Sequence, residues 1–278
     1  MGFSTYTNRK GVRAGAAVVA SAVAVAATVW GVATLVEPGS AGAASRQSVS
    51  GPNGADTSGG GRAGRPGPGQ GIPEGIAHSS ESGGNTVNIT IDDGPDPRWT
   101  PQVLDVLDQY DVKATFCMVG PRAKAHPDLV KKVVAAGHRL CDHTMDHDTT
   151  MDKKPVDYQE RQILDAKKLI EEAAGNGAKV EYYRAPGGAF TPDSRRIAAA
   201  NGMRPLGWNV DTKDFQKPGT AAIVAAVKRE IGNGPTVLFH DGGGNRAQTV
   251  EALDQVLAWL RDQGRPTGFP VRTAPDAP

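Results

Sequence analysis

Between residues 86 and 272, short apolar runs alternate with longer segments of helical period, and this alternation restricts the fold more than any other property of the chain. Val87, Ile89 and Ile91 alternate with polar residues and end at Asp92-Asp93-Gly94-Pro95. Thr100-Pro101 then reads as an N-cap followed by a first-turn proline, opening a helix with Val103, Leu104 and Leu107 on one face. Further strands are predicted over 114–119, 139–141, 182–184, 204–208, 236–239 and 269–272. Helices are predicted over 127–136, 156–174, 220–231 and 249–263, with another opened by Thr191-Pro192. The expected fold class is therefore α/β: a single domain with about seven parallel strands, closed as a distorted or incomplete (β/α) barrel.

The chain ahead of this region has a different character. Arg9, Lys10 and Arg13 precede an uncharged run over 14–36, so 1–36 is expected to be a signal peptide or a membrane anchor. The length of the run favours a retained anchor. Its Ala, Val, Gly and Thr composition favours export with cleavage near Ala41-Gly42-Ala43, and both outcomes stay open. In either case the remainder leaves the cytoplasm, to be extracellular or tethered to the outer face of the cytoplasmic membrane. Residues 37–84 are dominated by Gly, Ser, Ala and Pro and are expected to form a disordered linker, because they hold too little apolar surface to offset chain entropy. The folded domain is then expected over 85–273, with a short tail over 274–278. A net charge of +1 gives no global field for nucleic acid, and the N-terminal segment is the one expected link to a membrane. No oligomerisation feature is visible, so a monomer is expected.

Five short segments carry chemical groups, and each falls at or just after a predicted strand end, the face where α/β barrels place function. Asp92-Asp93-Gly94-Pro95, taken alone, reads as a turn before it reads as a site. His143 and His147 in His143-Thr144-Met145-Asp146-His147 are spaced to share one face of a helix or tight turn, and with a carboxylate they would suit a divalent metal. Arg184, in Tyr183-Arg184-Ala185-Pro186-Gly187-Gly188, would keep a neighbouring carboxylate ionised and oriented as a base, while Gly187 could offer its backbone N–H to an oxyanion. Asp211, in the run from Trp208 to Phe215, is the candidate partner for His240, which stands where the apolar run Val237-Leu238-Phe239 opens onto a loop. His126 and His138 are read as structural.

Taken in order, these segments resemble the polysaccharide deacetylase family, the NodB-homology domain of carbohydrate esterase family 4. The resemblance implies a metal-dependent hydrolase that removes N-acetyl groups from N-acetylglucosamine polymers and releases acetate. It implies that Asp92 is the catalytic base and that Asp93, His143 and His147 hold one divalent ion, zinc by family precedent, with cobalt or nickel also suited to two imidazoles and a carboxylate. It further implies that Arg184 holds the base, that Asp211 tunes the proton donor His240, that Gly187 donates to the oxyanion, and that Trp208 and Leu238 line a pocket for the acetyl methyl. The family usually has an aromatic residue where Gly187 stands and commonly a tryptophan where Phe215 stands. The first departure widens the cleft without removing the N–H.

Peptidoglycan is the first expected substrate, chitin oligomers the second and acetylated xylan, where an ester is cut, the third. A catalytically silent glycan-binding module and a phosphoesterase are the competing classes. The presence of Asp92, Arg184, Asp211 and His240 argues against the first, and the lack of a second cluster of ligands argues against a two-metal version of the other. Cys117 and Cys141 fall on neighbouring predicted strands of an exported chain, so a disulfide is expected between them.

Overall fold

The structure, a computed structural model, describes residues 71–276. The expected signal or anchor over 1–36 and most of the expected linker lie outside the described residues. No described helix is long and apolar enough to cross a membrane.

Strand and helix alternate as the periodicity predicts: β1 Val87–Asp92, α1 Trp99–Gln109, β2 Thr115–Met118, α2 Gly120–Ala125, α3 Pro127–Ala135, β3 Arg139–Asp142, α4 Val156–Ala174 and β4 Val180–Tyr183. They continue as α5 Pro192–Ala200, β5 Arg204–Pro205, β6 Val210–Asp211, α6 Thr220–Glu230, β7 Thr236–His240, α7 Ala247–Asp262 and β8 Thr267–Gly268. The sheet runs β5-β4-β3-β2-β1-β7-β6, and each neighbouring pair of strands in it is parallel. β8 pairs with Val87 and Asn88, ahead of the point where β2 joins β1 at Thr90. No pairing joins β5 to β6 among the described residues, so the barrel is incomplete, as expected.

The two faces of the sheet have opposite chemistry. Val87, Ile89 and Ile91 of β1, Phe116 and Met118 of β2, and Val237 and Phe239 of β7 all enter the main hydrophobic cluster with the helices. The alternate residues face the other way. There Asn88 Nδ2 donates to Thr236 Oγ1 at 3.0 Å and Thr90 Oγ1 to the Val237 carbonyl at 2.7 Å. A smaller apolar cluster of Ala77, Cys117, Cys141, Tyr182, Leu206 and Val271 belongs to this inner side. Cys117 and Cys141 are register partners in adjacent strands and form the expected disulfide, with Cα atoms 4.1 Å apart.

Three expectations are corrected. The predicted strand 204–208 shortens to Arg204–Pro205, because the chain leaves the sheet at Leu206 to Asn209 and re-enters on the far side of the opening as Val210–Asp211. The last strand lies at 267–268 rather than 269–272, where Pro270 lacks the N–H a ladder needs. The folded domain also begins earlier than residue 85 and extends into the expected tail. The Ala77 N–H donates to the Pro205 carbonyl and its carbonyl accepts from Gly207, so this segment adds itself to the edge at β5. Asp276 Oδ1 accepts from the backbone of His78 and Ser79 and from the Ser79 hydroxyl, pinning the two ends together. Composition suggested a linker, but one edge strand and one carboxylate supply the partners it lacked.

Thr191 caps α5 in a reciprocal box with Ser194, as its sequence suggests. Thr100 does not cap α1: Asp96 accepts from Arg98 and Trp99, while Thr100 Oγ1 donates to the buried Asp241 at 2.6 Å.

Candidate active site

At the C-terminal ends of the strands, Asp92, Asp93, His143, His147, Gly187, Trp208, Asp211, Leu238 and His240 line one cleft of about 340 Å³, together with Thr149, Ala185 and Phe215. The four catalytic candidates sort themselves by what each touches. Arg184 is wholly buried beneath the cleft. Its Nη1 donates to Asp92 Oδ1 at 2.7 Å and to Thr90 Oγ1 at 2.9 Å, its Nη2 to the Gly207 carbonyl at 2.8 Å and its Nε to the Leu206 carbonyl at 3.2 Å. One guanidinium thus ties the incoming strand β1 to the segment that spans the barrel opening. It also fixes one oxygen of Asp92 and leaves the other facing the histidines.

Asp93, His143 and His147 converge as expected. Asp93 Oδ1 lies 3.1 Å from His147 Nε2 and 3.6 Å from His143 Nε2. Asp92 Oδ2 is also 3.6 Å from His143 Nε2. The backbone works to achieve this: Asp93, Thr144 and His147 all have positive φ, at 75°, 68° and 54°. Such conformations persist where surrounding contacts hold them and concentrate at functional sites. Thr144 is held by its N–H on Asp142 Oδ1 at 2.7 Å, and the turn that follows by Gln162 Oε1, which accepts from Met145 and Asp146.

The donor set fits a metal. His143 Nδ1 lies 2.8 Å from the Arg184 carbonyl, an acceptor, so the proton sits on Nδ1 and Nε2 presents a lone pair toward the carboxylates. Burial lowers the His143 pKa and keeps the ring in the neutral form that ligates metal. Asp93 Oδ1 is buried without a hydrogen-bond partner, the condition of an atom whose partner is an ion. Burial would raise the Asp93 pKa, yet His147, His143 and His240 together hold it below the ordinary carboxylate range. The three ligand atoms lie within 4.8 Å of one another.

His240 is set up the other way. Its Nδ1 is 2.6 Å from Asp214 Oδ1, and its backbone N–H donates to Asp214 Oδ2 at 2.9 Å. Asp214 is almost fully buried and also accepts from the Thr249 hydroxyl at 2.8 Å. Burial opposes charge on His240, but the hydrogen bond and the charge of Asp214 outweigh it, and the pKa rises to about 9. Nε2 is left for the cleft. Asp211, the expected partner, does not reach His240: its Oδ2 pairs with Lys213 Nζ at 3.1 Å and its Oδ1 accepts from the Lys213 N–H. Lys213 at φ 52° turns the chain into a short 3-10 turn, Asp214–Gln216, and that turn aims Asp214 inward. Both aspartates stand in the same run of sequence, and nothing local distinguishes them.

Gly187 has φ +60°, and a Cβ there would come within 3.2 Å of Thr149. The residue lines the cleft as bare backbone. Phe215, where the family commonly has tryptophan, stacks edge-on against the His240 ring with centroids 5.4 Å apart. Trp208 and Leu238 form the apolar wall. His138 is structural, as read: its Nδ1 accepts the Ala114 N–H at 3.1 Å, and burial pushes its pKa down to about 4.

A half-open parallel barrel with a carboxylate pair, two imidazoles poised for a metal and a separate protonated imidazole defines a class of hydrolase in which metal and acid–base groups share one cleft. Residues 79–206 match the polysaccharide deacetylase family model. The chain is 38% identical over 208 residues to a chitooligosaccharide deacetylase of Sinorhizobium fredii, covering 70% of this chain and 93% of the relative. It is 40% identical over 183 residues to a peptidoglycan-N-acetylglucosamine deacetylase of Bacillus cereus, covering 64% of this chain and 83% of the relative. Among solved structures, the Bc1960 peptidoglycan N-acetylglucosamine deacetylase superposes with a TM-score of 0.65 at 29% identity, over 70% of this chain and 90% of that one. The chain belongs to the polysaccharide deacetylase family.

Proposed function

We propose that this protein is a metal-dependent hydrolase that removes N-acetyl groups from N-acetylglucosamine-containing polysaccharide, peptidoglycan before chitin oligomers. The observation that carries the proposal is the opposite proton state of two histidines in one cleft, His143 bare at Nε2 and His240 held cationic by Asp214. Named relatives that act on chitooligosaccharide and on peptidoglycan support the substrate class.

Asp93, His143 and His147 would hold the ion, which we take to be zinc, and when bound it would acidify water and polarise the acetyl carbonyl. Asp92, positioned by Arg184, takes a proton from the attacking water through its free oxygen. The Gly187 N–H would donate to the carbonyl oxygen as negative charge collects there. An amine leaves poorly unless protonated, so His240 gives the Nε2 proton to the nitrogen as the C–N bond breaks. Acetate and a free amino sugar result. Trp208 and Leu238 take the methyl group, and Arg184 keeps Asp92 turned toward the reaction throughout.

The basic flank and apolar run at the N-terminus support a reading of export, and the Cys117–Cys141 disulfide supports an oxidising compartment. An exported enzyme, extracellular or tethered to the outer face of the cytoplasmic membrane, meets envelope glycan, and the chain is proposed to act there as a monomer.

The test is acetate release from peptidoglycan, chitin oligomers and acetylxylan by the zinc- or cobalt-loaded protein beside Asp92→Asn. Release that the variant loses establishes the activity. No release from any of the three by a folded, metal-loaded parent sinks it and leaves a glycan-binding module.

A further inference from the structure

A second hollow, of about 520 Å³, opens on the other side of Asp93, His147 and Phe215, which line both spaces. Nothing in the reaction uses it. Its distinguishing groups are two arginines. Arg122 stands on α2, with Nη1 donating to the Asp93 carbonyl at 2.7 Å. Arg246 is 3% exposed, with Nε donating to the Gly242 carbonyl and Nη1 3.5 Å from the Asp214 carbonyl. These bonds to backbone oxygens fix the guanidinium planes without neutralising them. Arg139, Arg161, Arg196 and Arg229 each pair with a carboxylate, but among the described residues Arg122 and Arg246 do not. Of the two carboxylates on the wall, Asp146 is held by Gln162 Nε2 at 2.6 Å and Asp93 turns Oδ1 toward the histidines, and neither lies within ion-pair distance of these arginines. Arg246, buried, and Arg122, half-buried, are oriented cations with no carboxylate of the described residues within ion-pair distance, and beside a catalytic cleft they form a receptor for an anion, their planar forks suiting a carboxylate.

We propose that this hollow is a subsite for a carboxylate carried by the sugar next to the N-acetylglucosamine being deacetylated, as on a glycan whose alternate residues bear an O-lactyl acid. The inference rests on the deacetylase reading and sharpens it. A neutral homopolymer leaves the subsite empty, whereas an acidic alternating strand fills it. The arginines thereby read the neighbouring sugar while Asp92 and His240 act on the acetyl group.

The test compares kcat/KM of the metal-loaded protein on three tetrasaccharides: the alternating N-acetylglucosamine–N-acetylmuramic acid oligomer without peptide, its lactyl methyl ester, and chitotetraose. The acid form is expected to be preferred over its ester by about tenfold at low salt, with the preference shrinking as salt rises. Arg122→Gln and Arg246→Gln are expected to bring the acid-to-ester ratio toward one, and Arg122→Lys to retain part of it. Taking the ratio cancels any general damage to the neighbouring machinery. An acid-to-ester ratio near one in the parent, or a preference that both glutamine variants keep, overturns the subsite while leaving the deacetylase standing. Should no oligomer turn over, calorimetric binding of the acid and its ester reads the hollow directly, and equal affinities overturn it.

Discussion

The two sides of the cleft use the same side chain for opposite purposes. On one side His143 places Nδ1 against a backbone carbonyl, is buried and neutral, and turns a lone pair toward Asp93. On the other, His240 places Nδ1 against a buried carboxylate, so its second nitrogen keeps a proton up to about pH 9. Burial acts on both rings in the same direction, against charge. What differs is the formal charge of the acceptor on Nδ1: a carbonyl fixes the tautomer, whereas a carboxylate also stabilises the cation. Asp92 lies between them, opposite His143 on one oxygen and bound by Arg184 on the other. The comparison predicts that substitutions on the two sides fail differently.

The largest loss belongs to the metal side. His143→Ala removes one of the three residues proposed to hold the metal, and kcat/KM is expected to fall by about three orders of magnitude or more. Bound metal, measured by elemental analysis after gel filtration, should fall from one equivalent to well below it. A variant that keeps its metal and its activity would break the division of labour.

On the acid side Asp214→Asn is expected to lower kcat by roughly 10²-fold with metal content unchanged. His240 must be protonated to act, so activity is lost as pH rises through its pKa. With the carboxylate present that limb lies near pH 9, or below it once a cation sits at Asp93. Without the carboxylate the two largest raising causes go, while burial still lowers the pKa and only the charges of Asp92 and Asp93 still raise it, so the limb should move down from about pH 9. A pH–rate profile whose alkaline limb stays in place would show that His240 is not the donor.

This asymmetry also sets what could be read from sequence. His143 and His147 in one segment and Asp93 in the other are local motifs whose spacing carries the chemistry, and the two segments meet as expected. Arg184 was legible through its motif, since an arginine at a strand end is by itself as readily a surface charge. The acid partner was not legible, because Asp211 and Asp214 share one short run and the choice depends on Lys213 adopting positive φ and on a hydroxyl supplied by α7. Helices with strong apolar period matched nearly to the residue, as for α4. The two-residue strands β5 and β6 did not, since so short a pairing has no periodicity to show and exists only because the barrel opens between them. For the same reason the segment around Ala77 was read as linker: its partner edge is created by tertiary structure.

The disulfide offers a gentler way to separate the sides. Cys117 is the register partner of Asp92, and Cys141 lies two residues before His143, whereas Asp214 and His240 stand on elements it does not join. For a sequence separation of 24, loss of the bridge is expected to cost roughly 3 kcal/mol of stability, read as a lower denaturation midpoint for Cys117→Ala/Cys141→Ala. Metal affinity should weaken in that variant while the alkaline limb of its pH profile stays put. If the limb moves and metal binding does not, the two sides are coupled through something other than β2 and β3.

The smallest effect is the most specific. Asp211→Asn removes a carboxylate that lines the cleft and pairs with the exposed Lys213, an ion pair of the kind that contributes little at a surface. Any change should appear in KM, because Asp211 borders the space a sugar would occupy and makes no bond to His240. Its alkaline limb should coincide with that of the parent, in contrast to Asp214→Asn. A downward shift in Asp211→Asn comparable to that of Asp214→Asn would mean that the first aspartate swings onto His240 when substrate binds. The sequence-based pairing would then describe the working enzyme better than the geometry at rest.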